Sequence, residues 1–334
     1  MKLQILIPHY KEKAEVIRPL LNSIAMQQNI DFSDVGVIIC HDGDEAKDFY
    51  EIDQAIIHDD YGLPYYPFLI KQIRIPHRGV SAARNACLDH AVADYVMFCD
   101  ADDIFYNVCA FWILFREFES GFDSLISLFI EETRSPDRKR VEYVNHAQDS
   151  TFVHGKVHRR QYLIENKIRF NPKLKIHEDS YFNILAQSLT TNLKYCQTPF
   201  YLWRWRDESV CRHDPKYILK TYKNMIDSND ALVCNFLGRG MRDKAMFYTA
   251  FMVFDAYYCM NKPEWINQQN KSYRAKTEKR FAKYFEKHQD LWNAVSDADK
   301  MQISMQVRNR SVMEGMQMES VTIDEWLQNV KKIK

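Results

Sequence analysis

The chain has 334 residues, with 45 Lys plus Arg against 45 Asp plus Glu, so its formal charge at neutral pH is zero. A hydrophobic fraction of 46% with 27% charged residues supports a buried core and excludes a disordered chain, while nine Gly and ten Pro exclude collagen-like and Gly-rich linker architectures. Neutrality argues against broad binding to a nucleic-acid backbone, whose affinity grows with the number of cations presented, and the length suggests two domains or one large domain with an appendage.

Residues 3–7 are an apolar run closed by Pro8, as expected of a parallel strand covered on both faces. Val16, Ile17, Leu20, Leu21 and Ile24 follow with the spacing of a helix that buries one face. Residues 35–40, 70–75 and 95–99 repeat the strand pattern, and a helix is expected over 82–92, with the Ser81 hydroxyl offered as its cap. This alternation implies an open α/β sheet. Residues 124–130 and 141–144 then read as strands joined by a charged turn at 135–137, 178–188 as a helix, and 193–196 and 201–205 as two short strands. From residue 216 onward, helical periodicity, few Gly or Pro and abundant Lys, Gln, Asn and Met mark a helical region. The expected domains are 1–214, carrying the chemistry, and 215–334, serving acceptor recognition or oligomerisation.

No apolar run approaches the roughly 18 residues of a membrane span, and residues 3–7 are too short for a signal-peptide core. The eight Cys show no C-x-x-C spacing, and several sit in apolar runs, which points to a reducing cytoplasm without a zinc site. Peripheral contact with a membrane stays open.

In an open α/β sheet the carboxyl ends of the strands border the ligand crevice. Pro8-His9-Tyr10-Lys11-Glu12 follows the first strand, His41-Asp42-Gly43-Asp44-Glu45 the second, and Asp100-Ala101-Asp102-Asp103 the fourth. Three carboxylates within four positions repel one another unless exposed or neutralised. Mg²⁺ or Mn²⁺, held by one or two carboxylates and substrate phosphates, suits such a cluster. Otherwise Asp102 or Asp103 caps a helix beginning near Ile104. Glu178-Asp179 precedes an amphipathic helix, where acids also simply meet the positive end of the dipole. The segment from Arg78 and Gly79 to Arg84 and Asn85 sets a turn and a helix N-terminus beside two guanidinium groups, a setting for an anionic ligand. Arg84 reads equally as a surface partner of Asp89. Trp203-Arg204-Trp205-Arg206 alternates with strand period, placing both arginines on one face, either for a diphosphate or toward solvent. The Lys-rich stretch 271–287, with Tyr273, Phe281, Tyr284 and Phe285, offers contact to an anionic acceptor or membrane, or a solvated face with its aromatics packed inward.

The segments IPHYKE, CHDGDE, RGVSAARNACL, YVMFCDADD, HGKVHRR, KIHEDSYF and YLWRWRDESVCR stand in the order in which glycosyltransferase family 2 proteins carry their motifs. The resemblance covers roughly residues 1–214. It implies the GT-A fold, a Rossmann-like and mostly parallel central sheet flanked by helices, and a nucleotide-diphosphate sugar donor, usually a UDP-sugar. It also implies a divalent metal, Mn²⁺ or Mg²⁺, and inversion at the anomeric carbon on transfer to an acceptor hydroxyl. By the same resemblance, Pro8, Tyr10 and Glu12 belong to the nucleotide pocket beside Asp42, and Arg78 and Arg84 to the donor side, Arg84 near base and ribose. Asp100, followed by Ala101, resembles the first acid of the D-x-D motif, facing ribose or metal, and Asp102 its metal-binding second acid. Asp179, next to Glu178, resembles the catalytic base. Arg204, Arg206 and Arg212 fall in the loop that closes over the diphosphate, where His213 resembles an extra metal ligand.

The sequence departs from the family pattern at His41, where the usual D-D-G-S has an acid. It lacks the Q-x-x-R-W signature and membrane helices of processive synthases, which favours addition of one or few sugars. The acceptor class stays open among glycan, wall polymer, lipid-linked glycan, protein and modified nucleic acid, as does homo-oligomerisation through the C-terminal helices. Two other functions compete. One is a nucleotidyltransferase that forms the sugar nucleotide, for which the Gly-rich basic loop after the first strand is missing. The other is a catalytically silent sugar-nucleotide-binding subunit.

Overall fold

The structure is a computed structural model describing residues 1–43, 52–53, 57–58, 65–135, 139–147, 149, 151–206, 217–267, 270–313 and 322–333. The chain forms two compact units, Met1–Ser209 and Val210–Lys334. The first opens with β1 (Leu3–His9), α1 (Ala14–Ala25), β2 (Val35–Asp42), β3 (Leu69–Ile75), α2 (Val80–His90) and β4 (Tyr95–Phe98). It continues with β5 (Ile104–Phe105), α3 (Ala110–Glu119), β6 (Ser124–Arg134), β7 (Val141–His146), β8 (Lys156–Arg159), α4 (Arg160–Glu165), α5 (Glu178–Ser188) and β9 (Leu193–Trp203). The strand order is β3-β2-β1-β4-β8-β6-β9-β5, with β7 paired to β6.

Strands β3, β2, β1 and β4 are mutually parallel, and β8 runs antiparallel to both β4 and β6. Every residue of β2 is buried, because both faces of this half are covered. On one face, Ile17, Leu20, Leu21 and Ile24 of α1 pack into the cluster that holds Leu3, Ile5, Ile7 and Val37. On the other, Cys87 of α2 reaches the carbonyls of Ile7 and Ile38 at 3.8 Å. The parallel half therefore sends the ends of β1, β2 and β4 to a common edge, as the apolar runs imply.

Four local expectations are corrected. Helix α2 starts at Val80 with Gly79 as its N-cap at φ 90°, and the buried Ser81 hydroxyl makes no hydrogen bond. The turn needs a left-handed residue there, which glycine adopts without penalty. The helix expected near Ile104 is strand β5, and α3 begins at Ala110. The two short strands over 193–205 are one strand, β9, whose pairing to β6 jumps from Ser127–Cys196 to Phe129–Tyr201. Pro199 lies in that bulge, where its missing N–H breaks no ladder bond. Because β9 ends at Trp203, Arg204 and Arg206 leave the sheet and do not share a strand face. The short β8 was not expected at all. Gly155 before it has φ 66°, and a Cβ there would stand 2.6 Å from Ser127 Oγ.

The second unit comprises α6 (Tyr217–Gly238), α7 (Arg242–Met260), α8 (Pro263–Ile266), α9 (Lys271–Ala294), α10 (Asp297–Met313) and α11 (Ile323–Val330). Tyr222, Val253, Trp265, Phe281, Trp292 and Trp326 are in its core. Phe281, Tyr284 and Phe285 of α9 are buried, so these aromatics of the Lys-rich stretch pack inward. Among the described residues no helix is long and apolar enough to cross a membrane. The expected boundary at residue 214 lies outside the described residues.

Candidate active site

The ends of β1, β2 and β4 border a cleft of about 340 Å³. Pro8, Tyr10 and Glu12 line it from the β1 side, Asp42 from β2, Arg84 from α2, and Asp100, Ala101 and Asp102 from the segment after β4. Asp42 is buried, and its two carboxylate oxygens accept the backbone N–H groups of Arg78 and Gly79 at 2.7 and 2.8 Å. His77 Nδ1 stands 3.0 Å from the same carboxylate. Asp42 thus fixes the turn that launches α2. The Arg78 side chain is exposed and is not among the residues lining the cleft. The exposed Tyr10 ring stacks on His77, with centroids 4.4 Å apart.

Arg84 is 3% exposed and joins elements far apart in sequence. Its Nη2 donates to Asp100 Oδ1 at 2.8 Å, and its Nη1 donates to Glu178 Oε1 at 3.2 Å and to Asp179 Oδ1. The guanidinium lies over the Phe170 ring, 5.2 Å from its centroid. Asn85, one residue on, clasps the Phe170 backbone with bonds of 2.9 and 3.0 Å. Helix α2 therefore ties the end of β4 to the first turn of α5. Asp89 pairs instead with Arg169 at 2.5 Å.

One guanidinium among three carboxylates leaves excess negative charge. Burial, reinforced by Glu178 and Asp100, pushes the Asp179 carboxyl up to about 8 against the pull of Arg84. Burial also opposes ionisation of Asp100, but Arg84 overcomes it and holds that carboxyl below its ordinary value. For Arg84, burial is outweighed by Asp179, Asp100 and Glu178, so it stays charged.

Asp102 faces the cleft, and Arg206 Nη1 donates to its Oδ2 at 3.0 Å. Burial and the Asp100 charge raise its pKa despite Arg206. Asp103 is turned inward, accepting from Tyr201 Oη at 2.5 Å and from the Arg204 backbone N–H at 2.9 Å. It anchors the segment after β9 to the end of β4 and caps no helix. One ligand atom each of Asp100, Asp103 and His154 lies within 4.8 Å of the others. Asp103 and His154 are buried and Asp103 is engaged by Tyr201 and Arg204, whereas Asp100 and Asp102 line the cleft, and their carboxylates are the hard oxygen donors that Mg²⁺ or Mn²⁺ takes. Arg212 and His213 lie outside the described residues.

Two supporting residues escaped the sequence reading. Asn85 had a signal, since Asn is a poor helix former and stands mid-helix only when its side chain has other work. Lys156 had none: it is buried, donates to the Phe152 carbonyl, and burial lowers its pKa to about 8 despite Asp149.

No curated protein matches the chain at a significant level. The sequence profile of Glycosyl transferase family 2 matches residues 4–171. Among solved structures, S. aureus TarS 1-349 in complex with UDP-GlcNAc has a TM-score of 0.63 at 14% identity, covering 97% of this chain and 95% of that one. The same protein in complex with UDP has a TM-score of 0.61 at 15% identity, covering 96% and 97%. These likenesses concern the fold, which agrees with the parallel half-sheet and the acidic edge described above. With the profile spanning half its length, the chain belongs to glycosyl transferase family 2 and is a glycosyltransferase of the GT-A fold.

Proposed function

We propose that this enzyme moves a sugar from a UDP-sugar to an acceptor hydroxyl with inversion, with Asp179 as general base and Asp102, helped by Asp100, holding a divalent ion. The observation that carries this is the Arg84 bridge, which brings Asp179 and Glu178 to Asp100 at a cleft that Asp102 also lines. Uridine is favoured because the TarS complexes are with UDP and UDP-GlcNAc.

An acceptor hydroxyl is a poor nucleophile and needs a base as it attacks the anomeric carbon. A carboxylate whose burial raises its proton affinity to about 8 is better suited than an ordinary one. The bond to the diphosphate breaks on the opposite face, and negative charge accumulates there. Arg206, already beside Asp102, offers a guanidinium for it. A divalent ion, when bound, supplies Lewis-acid stabilisation of the same leaving group. Pro8, Tyr10, Glu12 and Asp42 form the nucleotide side.

The test is incubation with Mn²⁺ and a panel of sugar nucleotides. Slow release of UDP from one UDP-sugar is expected, stopped by a chelator and restored by Mn²⁺. Formation of a sugar nucleotide from UTP and a sugar 1-phosphate would indicate the nucleotidyltransferase instead, and binding without turnover a silent subunit.

A further inference from the structure

The ends of β1 and β2 carry two buried histidines, His9 and His41, whose Nδ1 atoms stand 3.0 Å apart. Their ring planes are inclined at 69°, with centroids 4.7 Å apart. The outer nitrogens fix where the hydrogens are. His9 Nε2 is 2.7 Å from the Glu12 main-chain oxygen, which can only accept, so His9 Nε2 bears a hydrogen. His41 Nε2 is 2.7 Å from Gln72 Oε1, and the Gln72 amide nitrogen donates to Asp53 Oδ1 at 3.0 Å. An ionised carboxylate accepts only, so Gln72 presents its oxygen to His41, and His41 Nε2 also bears a hydrogen. Turning either ring over would put carbon atoms at its contacts. Two neutral rings in this arrangement would aim lone pairs at each other across 3.0 Å. One further hydrogen is required.

We propose that His9 and His41 share one proton between their Nδ1 atoms, and that this single buried charge positions the loop over residues 9–12 for nucleotide binding. The proposal rests on assigning the cleft to the donor. The protonated pair keeps His9 oriented with its Nε2–H on the Glu12 carbonyl. The Glu12 carboxylate in turn accepts the Tyr10 backbone N–H at 2.6 Å. Lys11, between them, has φ 66°, a conformation that costs a non-glycine residue and persists only when its surroundings hold it. Tyr10, so placed, stacks on His77 at the lip of the cleft.

Among the described residues, the carboxylates around the pair favour its protonated form and the cations oppose it. Glu12 Oε2 is 3.7 Å from His9 Nε2. Asp42 follows His41 on β2, and Asp53, which His58 Nδ1 also meets at 3.2 Å, reaches His41 through Gln72 of β3. His77 stands against Asp42 and Tyr10, Arg84 of α2 lines the same cleft, and Arg74, opposite His41 on β3, has an exposed side chain. As pH rises and the shared proton leaves, the lone pairs repel and the loop loses its latch. Donor affinity should therefore fall with rising pH.

The test compares His41→Asn with the wild-type protein. The Asn amide nitrogen takes the position of His41 Nδ1 and donates to His9 Nδ1 without titrating. UDP affinity, measured by calorimetry with Mn²⁺ from about pH 5.5 to about pH 8.5, should drop about tenfold for the wild type and stay level for the variant. Imidazole ¹H–¹⁵N spectra of the wild type without nucleotide should show one Nδ1-bound proton for the pair at the acidic end. Equal pH dependence in both proteins, or two bare Nδ1 atoms at low pH, would overturn the proposal. Absence of UDP binding at every pH would overturn the donor assignment instead, and the spectra alone would then decide whether the pair holds its proton.

Discussion

Asp179→Asn is expected to leave UDP binding within about twofold and to lower transfer by roughly 10² to 10⁴. The amide keeps the size of the carboxylate and can still accept from Arg84 through its oxygen, so the bridge to Asp100 survives. It has no site basic enough to take the acceptor proton. The pH dependence separates this from a structural defect. A general base works deprotonated, so with donor held saturating, wild-type kcat/KM for the acceptor should rise with pH through the ionisation of Asp179, near 8 before donor binds, and then level off. The variant should lack that rising limb. Normal turnover by Asp179→Asn with any acceptor that serves the parent would remove Asp179 as the base.

Arg84→Met should destabilise the protein by about 3–5 kcal/mol at neutral pH, the usual cost of breaking a buried ion pair by removing one partner. Met retains much of the volume over Phe170, so the loss reports the charge more than a void. The sign of the pH effect follows from what remains. Asp179, already pushed up to about 8, carries a proton once the guanidinium is gone, but the charges of Asp100 and Glu178 then lie uncompensated beside it, and protonation relieves them. The gap between variant and wild type should therefore narrow as pH falls through the carboxylate range. Arg84→Lys, which keeps the charge but cannot fork to three carboxylates, should fall between the two. Denaturant midpoints at several pH values measure this, and a variant as stable as wild type at neutral pH would show that the bridge contributes little.

Much of this architecture was legible in the sequence because the parallel half of the sheet writes itself in short apolar runs. Each run ends in a polar cluster, and three of those clusters border the cleft. Helix α5 was equally plain. What escaped depends on contacts that no local pattern encodes. Strand β8 buries Lys156 and His158, polar residues that disguise it, and β9 runs through Pro199 only because a bulge against β6 takes up the register. Adjacent acids took opposite roles, with Asp102 facing the cleft and Asp103 turned under Tyr201, because the chain bends between β4 and β5. Arg84 shows the limit most clearly. Spacing offered Asp89 as its partner, whereas its carboxylates include two from α5, and only the tertiary arrangement brings that helix start to the end of β4.

The most direct measurement is a crystal structure of the protein with UDP and Mn²⁺. The expected result is nucleotide in the cleft beside Tyr10 and Asp42, its diphosphate at Asp102 and Arg206, and its free phosphate end directed toward Asp179. Nucleotide bound only elsewhere would contradict it, for example in the groove at the opposite end of the sheet lined by Lys2, Tyr95, Trp112 and Arg116.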